Sequence, residues 1–211
     1  MNYTVIIVFV VTAIVCLFVT QYVKQRTIQR LLKDLREGNF EDYFKTLDSF
    51  LCKYFYPPFN REYMRLNAFV MQGLKKKVEE QFDLLLTMRM NKKQEIDVVV
   101  KAFYYYIDEE NKTKTSELLT RMKNMNDESI SNECQIVYDI FIEKETKYID
   151  TMNEQLKDKD CTGINRGMFN YFLAIQYANM KEHKKELECV EKAVADLKGT
   201  PYEIRINNML K

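Results

Sequence analysis

The sequence predicts an all-helical chain, with one membrane-spanning helix at its start and about five helical hairpins after it. Three observations carry that prediction. Thr4 to Val23 is a run of twenty residues without a charge. Beyond it an apolar pattern recurs at intervals near 34 residues. Gly (5) and Pro (3) are scarce while 30% of residues are charged, a balance that suits helices better than many strands and turns.

The first element follows from length. At 1.5 Å of rise per residue, a helix from Thr4 to Val23 crosses a hydrocarbon core of about 30 Å. A cleaved signal peptide would need a basic start, a shorter apolar run and a small-x-small cleavage site. Met1-Asn2-Tyr3 carries no basic side chain, and no Ala-x-Ala follows the run. Val15 precedes Cys16, which does not fit a lipoprotein site. Residues 1–25 are therefore expected to be an uncleaved anchor that meets the lipid bilayer through residues 4–23. Lys24, Arg26, Arg30, Lys33 and Arg36 follow the span, and no basic side chain precedes it. Basic residues stay on the cytoplasmic side, so the N-terminus is expected outside and the remainder in the cytoplasm, at the plasma membrane. Asn2-Tyr3-Thr4 and Asn111-Lys112-Thr113 match the glycosylation sequon, and both read as chance matches.

From Arg26 onward the text reads as helix after helix. Breaks are expected at Gly38-Asn39, Tyr56-Pro57-Pro58, Asn91-Lys92-Lys93, Asn124 to Ser129, Asp158 to Asn165 and Gly199-Thr200-Pro201. Gly, Pro and Asn favour turns or cannot continue the hydrogen-bond ladder. Ser129 and Asn165 are the expected N-caps of the helices that follow them. Pro57 and Pro58 should stop the second helix of the first hairpin, and Pro201 that of the last. Residues 199–211 are expected to form a polar capping helix.

Leu31, Ala68, Ala102, Ile136 and Ala174 anchor the recurrence, with separations of 37, 34, 34 and 38. One residue past each anchor stands Leu32, Phe69, Phe103, Val137 or Ile175. Sixteen past each stands Leu47, Leu84, Leu118, Met152 or Val190. A period near 34 with two helices per unit marks a stacked helical array, whose units bury their apolar faces against one another.

Arg36-Glu37-Gly38-Asn39-Phe40-Glu41-Asp42 resembles the inter-helix turn of a tetratricopeptide repeat, which runs Gly, Asp or Asn, an aromatic and two acids. Leu173-Ala174 with Tyr177 is similar to the first helix of that repeat, and Glu191-Lys192-Ala193 to the end of its second. The chain departs from the pattern where Ile136 is large, and where Tyr43, Glu80, Lys114, Tyr148 and Glu186 replace the usual Ala. The resemblance covers residues 26–198. It implies a TPR-like right-handed solenoid of about five helical hairpins, whose first helices line a concave, protein-binding face. On that mapping the groove is lined by Phe69, Gln72, Phe103, Tyr106, Val137, Phe141, Ile175 and Asn179. Phe69 and Phe103 also fit core packing, since every unit has an apolar residue there. Tyr106 and Phe141 are the stronger groove candidates. The Lys, Arg and Asn set by which chaperone-binding members hold acidic C-termini is not found.

Little in the sequence points to chemistry. His183 is the only histidine, and Cys189 lies six residues on, about 1.7 helical turns away and on another face. Neither GxxxxGK[ST] nor GxGxxG occurs. The acid pairs Glu109-Glu110 and Asp127-Glu128 fall in polar turns without a partner to tune them. Five cysteines, an odd number without CxxC spacing, read as free thiols rather than a disulfide framework or zinc site. Lys plus Arg (32) nearly equals Asp plus Glu (31), so no field favours nucleic acid. No enzymatic role, cofactor or metal is expected. The expected function is a membrane-anchored adaptor that tethers a partner protein or peptide at the cytoplasmic face, with self-association open. The alternatives are a regulatory or sensor subunit of a membrane complex, and an organellar import or assembly receptor.

Overall fold

A computed structural model describes residues 3–125, 127–200 and 202–210, with the side chains of 4–6 left out. Asn2 of the first sequon and Pro201, the expected helix stop, lie outside the described residues. Among the described residues there are helices and no strand. The chain divides into two compact units, Met1–Val98 and Val99–Lys211.

The first unit begins with α1, Tyr3–Arg36, a single helix of 34 residues. The boundary expected at residue 25 falls inside it, because no Gly, Pro or Asn stands between Thr4 and Gly38 to break the ladder. Its N-terminal part is long and apolar enough to cross a membrane, and it is bare of packing there: Phe9 and Phe18 are 76% and 73% exposed. Its C-terminal part pairs with α2 (Phe40–Leu47) and α3 (Phe50–Phe55). The sequence suggested one helix across these two. The structure breaks it at Asp48-Ser49, where the Ser49 hydroxyl accepts from the Cys52 amide and restarts the helix. The pair α4 (Pro58–Met71) and α5 (Lys75–Thr87) follows, and Pro58 occupies the first turn, where its missing N–H costs nothing.

The core of this unit gathers Leu31, Tyr43, Leu47, Cys52 and Ala68. Tyr43 is buried in this core, and its hydroxyl donates to the Met64 carbonyl at 3.0 Å, tying α2 to α4. Arg65 extends that tie: it pairs with Asp48 at 2.6 Å and Glu62 at 3.1 Å, and Glu62 accepts from Gln81 of α5 at 2.9 Å.

The boundary between units falls within α6, Lys92–Asp108. Asn91 and Gln94 start this helix with a reciprocal pair of side-chain to backbone bonds. The second unit continues with α7 (Lys112–Lys123), α8 (Glu128–Phe141), α9 (Ile149–Gln155), α10 (Gly163–Asn179), α11 (His183–Asp196) and α12 (Glu203–Asn208). Two expected caps move. Asp127, not Ser129, caps α8 through its carboxylate on the Ile130 amide, since a cap must stand just before the first helical residue. Thr162, not Asn165, precedes α10, which starts three residues early at Gly163, where glycine takes a positive φ of 54°. Asn111 of the second sequon caps α7 by accepting from the Lys114 amide.

The recurrence reappears in the backbone. Gly38, Gly73, Glu110, Lys144 and Lys181 all have φ between 50° and 72°, at spacings of 35, 37, 34 and 37 residues. Each lies in the turn that closes one of the helices α1, α4, α6, α8 and α10. At four of them the next residue donates to the carbonyl five positions back: Asn39 to Asp34, Leu74 to Phe69, Asn111 to Tyr106, and Glu182 to Tyr177. That is the left-handed helix stop that satisfies orphan carbonyls. In the fourth turn, at Lys144, the Glu145 amide reaches the Asp139 carbonyl six positions back at 2.9 Å, and side chains add to the hold. Asp139, buried in α8, accepts from Gln135 at 2.6 Å, Tyr148 at 2.5 Å and Lys147 at 2.8 Å.

In this unit α10 packs along α11, and α12 covers the end with Ile206 fully buried. The core collects Ile140, Met152, Leu173, Ala174, Val190 and Leu197. Gly167 marks the closest approach of the two long helices. A Cβ there would stand 2.8 Å from the Asp196 Cβ and 2.9 Å from the Leu197 Cγ. Within residues 199–211 the helix is α12, and its inner side is apolar through Ile206.

Candidate functional site

The eight expected groove residues separate into three groups. Phe103, Tyr106 and Val137 are 0%, 2% and 1% exposed, so they are packing residues and not a groove lining. The physical reason is that α6 is apolar on more than one side, from Val98 through Ile107, so its first-helix stripe is enclosed rather than presented. Phe69 and Gln72 stand in the first unit and are half-buried. The Phe69 ring packs on Phe44 with centroids 5.3 Å apart and lies under Lys77, and the Gln72 amide donates to the Ala68 carbonyl. Phe69 thus packs against α2 of the preceding hairpin, and Gln72 bonds within its own helix end. Phe141, Ile175 and Asn179 do come together, in a cavity of about 510 Å³ in the second unit. The Asn179 amide is already spent there on the Ile140 carbonyl at 3.0 Å, joining α10 to α8. Asp108 at the rim is ion-paired with Arg205, and Lys144 stands 4.0 Å from Glu110. Burial pushes the Asp108 carboxyl above its usual range, against the pull of Arg205. The rim therefore carries balanced charge.

A second cavity in the same unit, about 520 Å³, has a different character. Its walls are apolar: Tyr104 of α6, Ile136 of α8, Phe169 and Phe172 of α10, and Tyr202 before α12. Its charge is of one sign. Glu133, Asp158 and Asp160 are in the lining, and no Lys, Arg or His is. The three carboxylates are exposed, so their charge is available to an incoming group. The loop after α9 places two of them, and Asp158 shapes it by accepting from the Asp160 amide at 3.0 Å. Burial raises the Tyr104 phenol well above its usual range, helped by Cys134, Tyr202 and Glu133, so its hydroxyl stays a neutral donor. The Tyr202 phenol is raised for the same first reason.

The sequence did not signal this cavity. Ile136 stands in the sequence as a repeat anchor bulkier than the pattern, and no spacing groups Glu133 with Asp158 and Asp160.

Other groups are placed without forming a reactive set. His183 is exposed and lies 3.1 Å from Glu186, whereas Cys189 is buried. Cys52, Cys134 and Cys189 are buried free thiols, and burial pushes the Cys134 thiol up to about 12. Among the described residues no three His, Cys, Asp or Glu side chains converge as a metal set. No protein-family model, curated protein or solved structure matches the chain.

Proposed function

We propose that this protein is a membrane-anchored docking module. In this reading residues 4–23 hold it in the bilayer, the rest lies in the cytoplasm, and the second unit takes a peptide segment of a partner protein. The recurring left-handed turns support a repeat of helical hairpins, the TPR-like architecture suited to peptide capture. The observation that carries the reading is the cavity of Tyr104, Phe169 and Phe172 with its three carboxylates and no cation. An apolar pocket with one-signed charge at its mouth fits an aromatic or aliphatic side chain followed by Lys or Arg. The other cavity, with paired rim charges, offers no such preference.

The test compares full-length proteins purified from gently solubilised native membranes. Glu133→Lys/Asp158→Lys changes two exposed side chains, so helicity should be preserved. The bound partner is expected to be lost, with affinity about tenfold weaker or worse, and to remain in Phe141→Asp. The opposite pattern would move the site to the cavity of Phe141 and Ile175. Retention in both variants would sink peptide docking by this unit.

A further inference from the structure

A third cavity, of about 840 Å³, opens in the first unit where the apolar run of α1 ends. Val23, the last residue of that run, and Leu51 of α3 form apolar wall. Arg26, Arg30, Lys33 and Lys45 supply its charge, and no carboxylate is in the lining. The acids nearest these cations stand outside it. Asp34, itself buried, is 3.8 Å from Arg30, beyond hydrogen-bond distance, and Glu37 is 3.9 Å from Lys33 in a water-exposed pair that holds little energy. Lys45 is held more closely by Glu41 and Asp42, its neighbours on α2. Arg26 lies over the Tyr22 ring at 5.6 Å.

The same level of the molecule carries an unpartnered apolar face. Helix α3 turns Cys52 fully inward and leaves Phe50, Leu51 and Tyr54 exposed at 81%, 47% and 71%. Tyr56, just past α3, lies beneath the Lys24 ammonium at 5.8 Å, which sets α3 beside the residue that follows the apolar run. An aromatic face beside a cation cluster, both at the end of a bilayer-length helix, matches the headgroup zone of a membrane in composition and in depth.

We propose that α3 and this cavity form a second, interfacial contact with the membrane that holds α1. Phe50, Leu51 and Tyr54 enter the headgroup layer, and Arg26, Arg30, Lys33 and Lys45 hold the phosphate of an anionic phospholipid. Arginine serves this purpose well because its planar fork meets phosphate oxygens in pairs. The proposal rests on the reading that residues 4–23 cross the bilayer, and its test separates the two.

The chain has no tryptophan, so one introduced indole reports alone. Full-length Phe50→Trp and Phe9→Trp proteins are placed in nanodiscs whose zwitterionic lipids carry brominated chains, with and without phosphatidylglycerol. Fluorescence quenching is expected in both variants. Phosphatidylglycerol co-purifying with the protein is expected to exceed its bulk fraction about fivefold, and to fall to that fraction in Arg26→Gln/Arg30→Gln. Quenching of Phe9→Trp without Phe50→Trp would overturn the interfacial contact while leaving the span in place. If those discs hold two copies, the face belongs to a second copy of the chain. Quenching in neither would remove the span and the inference together. Quenching in both, with lipid enrichment unchanged in the arginine variant, would overturn the phosphate site.

Discussion

Gly167→Ala is expected to destabilise the second unit by about 1–3 kcal/mol, the usual cost of overfilling a packed interior. Helix propensity alone predicts the opposite sign, since alanine is favoured over glycine inside a helix by about 1 kcal/mol. The contacts decide. The added methyl would stand 2.8 Å from the Asp196 Cβ and 2.9 Å from the branching carbon of Leu197, neither of which is the free end of a flexible chain. To relieve the overlap α10 must move away from α11. That motion strains the Arg166–Asp196 fork, whose two bonds are both 2.7 Å. Gly167→Val should cost more, because it adds two further methyl groups at the same close approach and a β-branched side chain is less favoured in a helix. Urea unfolding followed by circular dichroism measures the loss. A double-mutant cycle with Leu197→Ala identifies its cause. If the two changes add without coupling, the close approach is not responsible.

Asp139→Ala is the second large effect, about 2–3 kcal/mol. The substitution leaves the Gln135 amide and the Tyr148 hydroxyl without their acceptor and strips Lys147 of one of its two carboxylate partners. Part of the loss is softened because Lys147 is half-exposed to water. The same network gives a pH signature. Burial alone would raise the Asp139 carboxyl, but the bonds from Lys147, Tyr148 and Gln135 outweigh it and hold it below its usual range. A carboxyl depressed on folding stabilises the fold above its unfolded value, near 3.8, and that stabilisation is lost as pH falls below this value toward the folded one. Wild type should therefore lose thermal stability more steeply than Asp139→Asn between pH 5 and pH 3, values chosen about one unit either side of the unfolded carboxyl. Parallel curves would show that the carboxylate is not anchored by these bonds.

Periodicity made the helices and the apolar N-terminal run legible, and Gly38 made the first inter-helix turn legible as well. The later turns were harder to read because Glu110, Lys144 and Lys181 adopt a left-handed backbone that a residue with a Cβ normally avoids at a cost of about 1–2 kcal/mol. The flanking helices impose that conformation, and no single residue announces it. The groove residues are hard to place from sequence for a related reason. A 3.6-residue stripe says which residues share a face, but not whether that face meets solvent or another helix. Tyr106 and Phe141 looked alike in sequence, yet Tyr106 is enclosed and Phe141 lines a cavity. The acid-lined cavity had no signature at all, since its walls come from α6, α8, α9, α10 and two loops with no fixed spacing between them.

The unbroken course of α1 has a mechanical consequence. Transmembrane helices lean by about 20° from the bilayer normal, more where the apolar stretch outruns the lipid. A hinge after the span would absorb that lean, and α1 has none between Tyr3 and Arg36. Its last turn lies thirteen residues past Val23, about 20 Å along the axis. A lean of about 20° would then carry it sideways by about 7 Å, and the hairpin with α2 would swing with it. Under the proposed insertion of residues 4–23, bilayer thickness thus becomes an input to the pose of the first hairpin, transmitted along an unbroken helix.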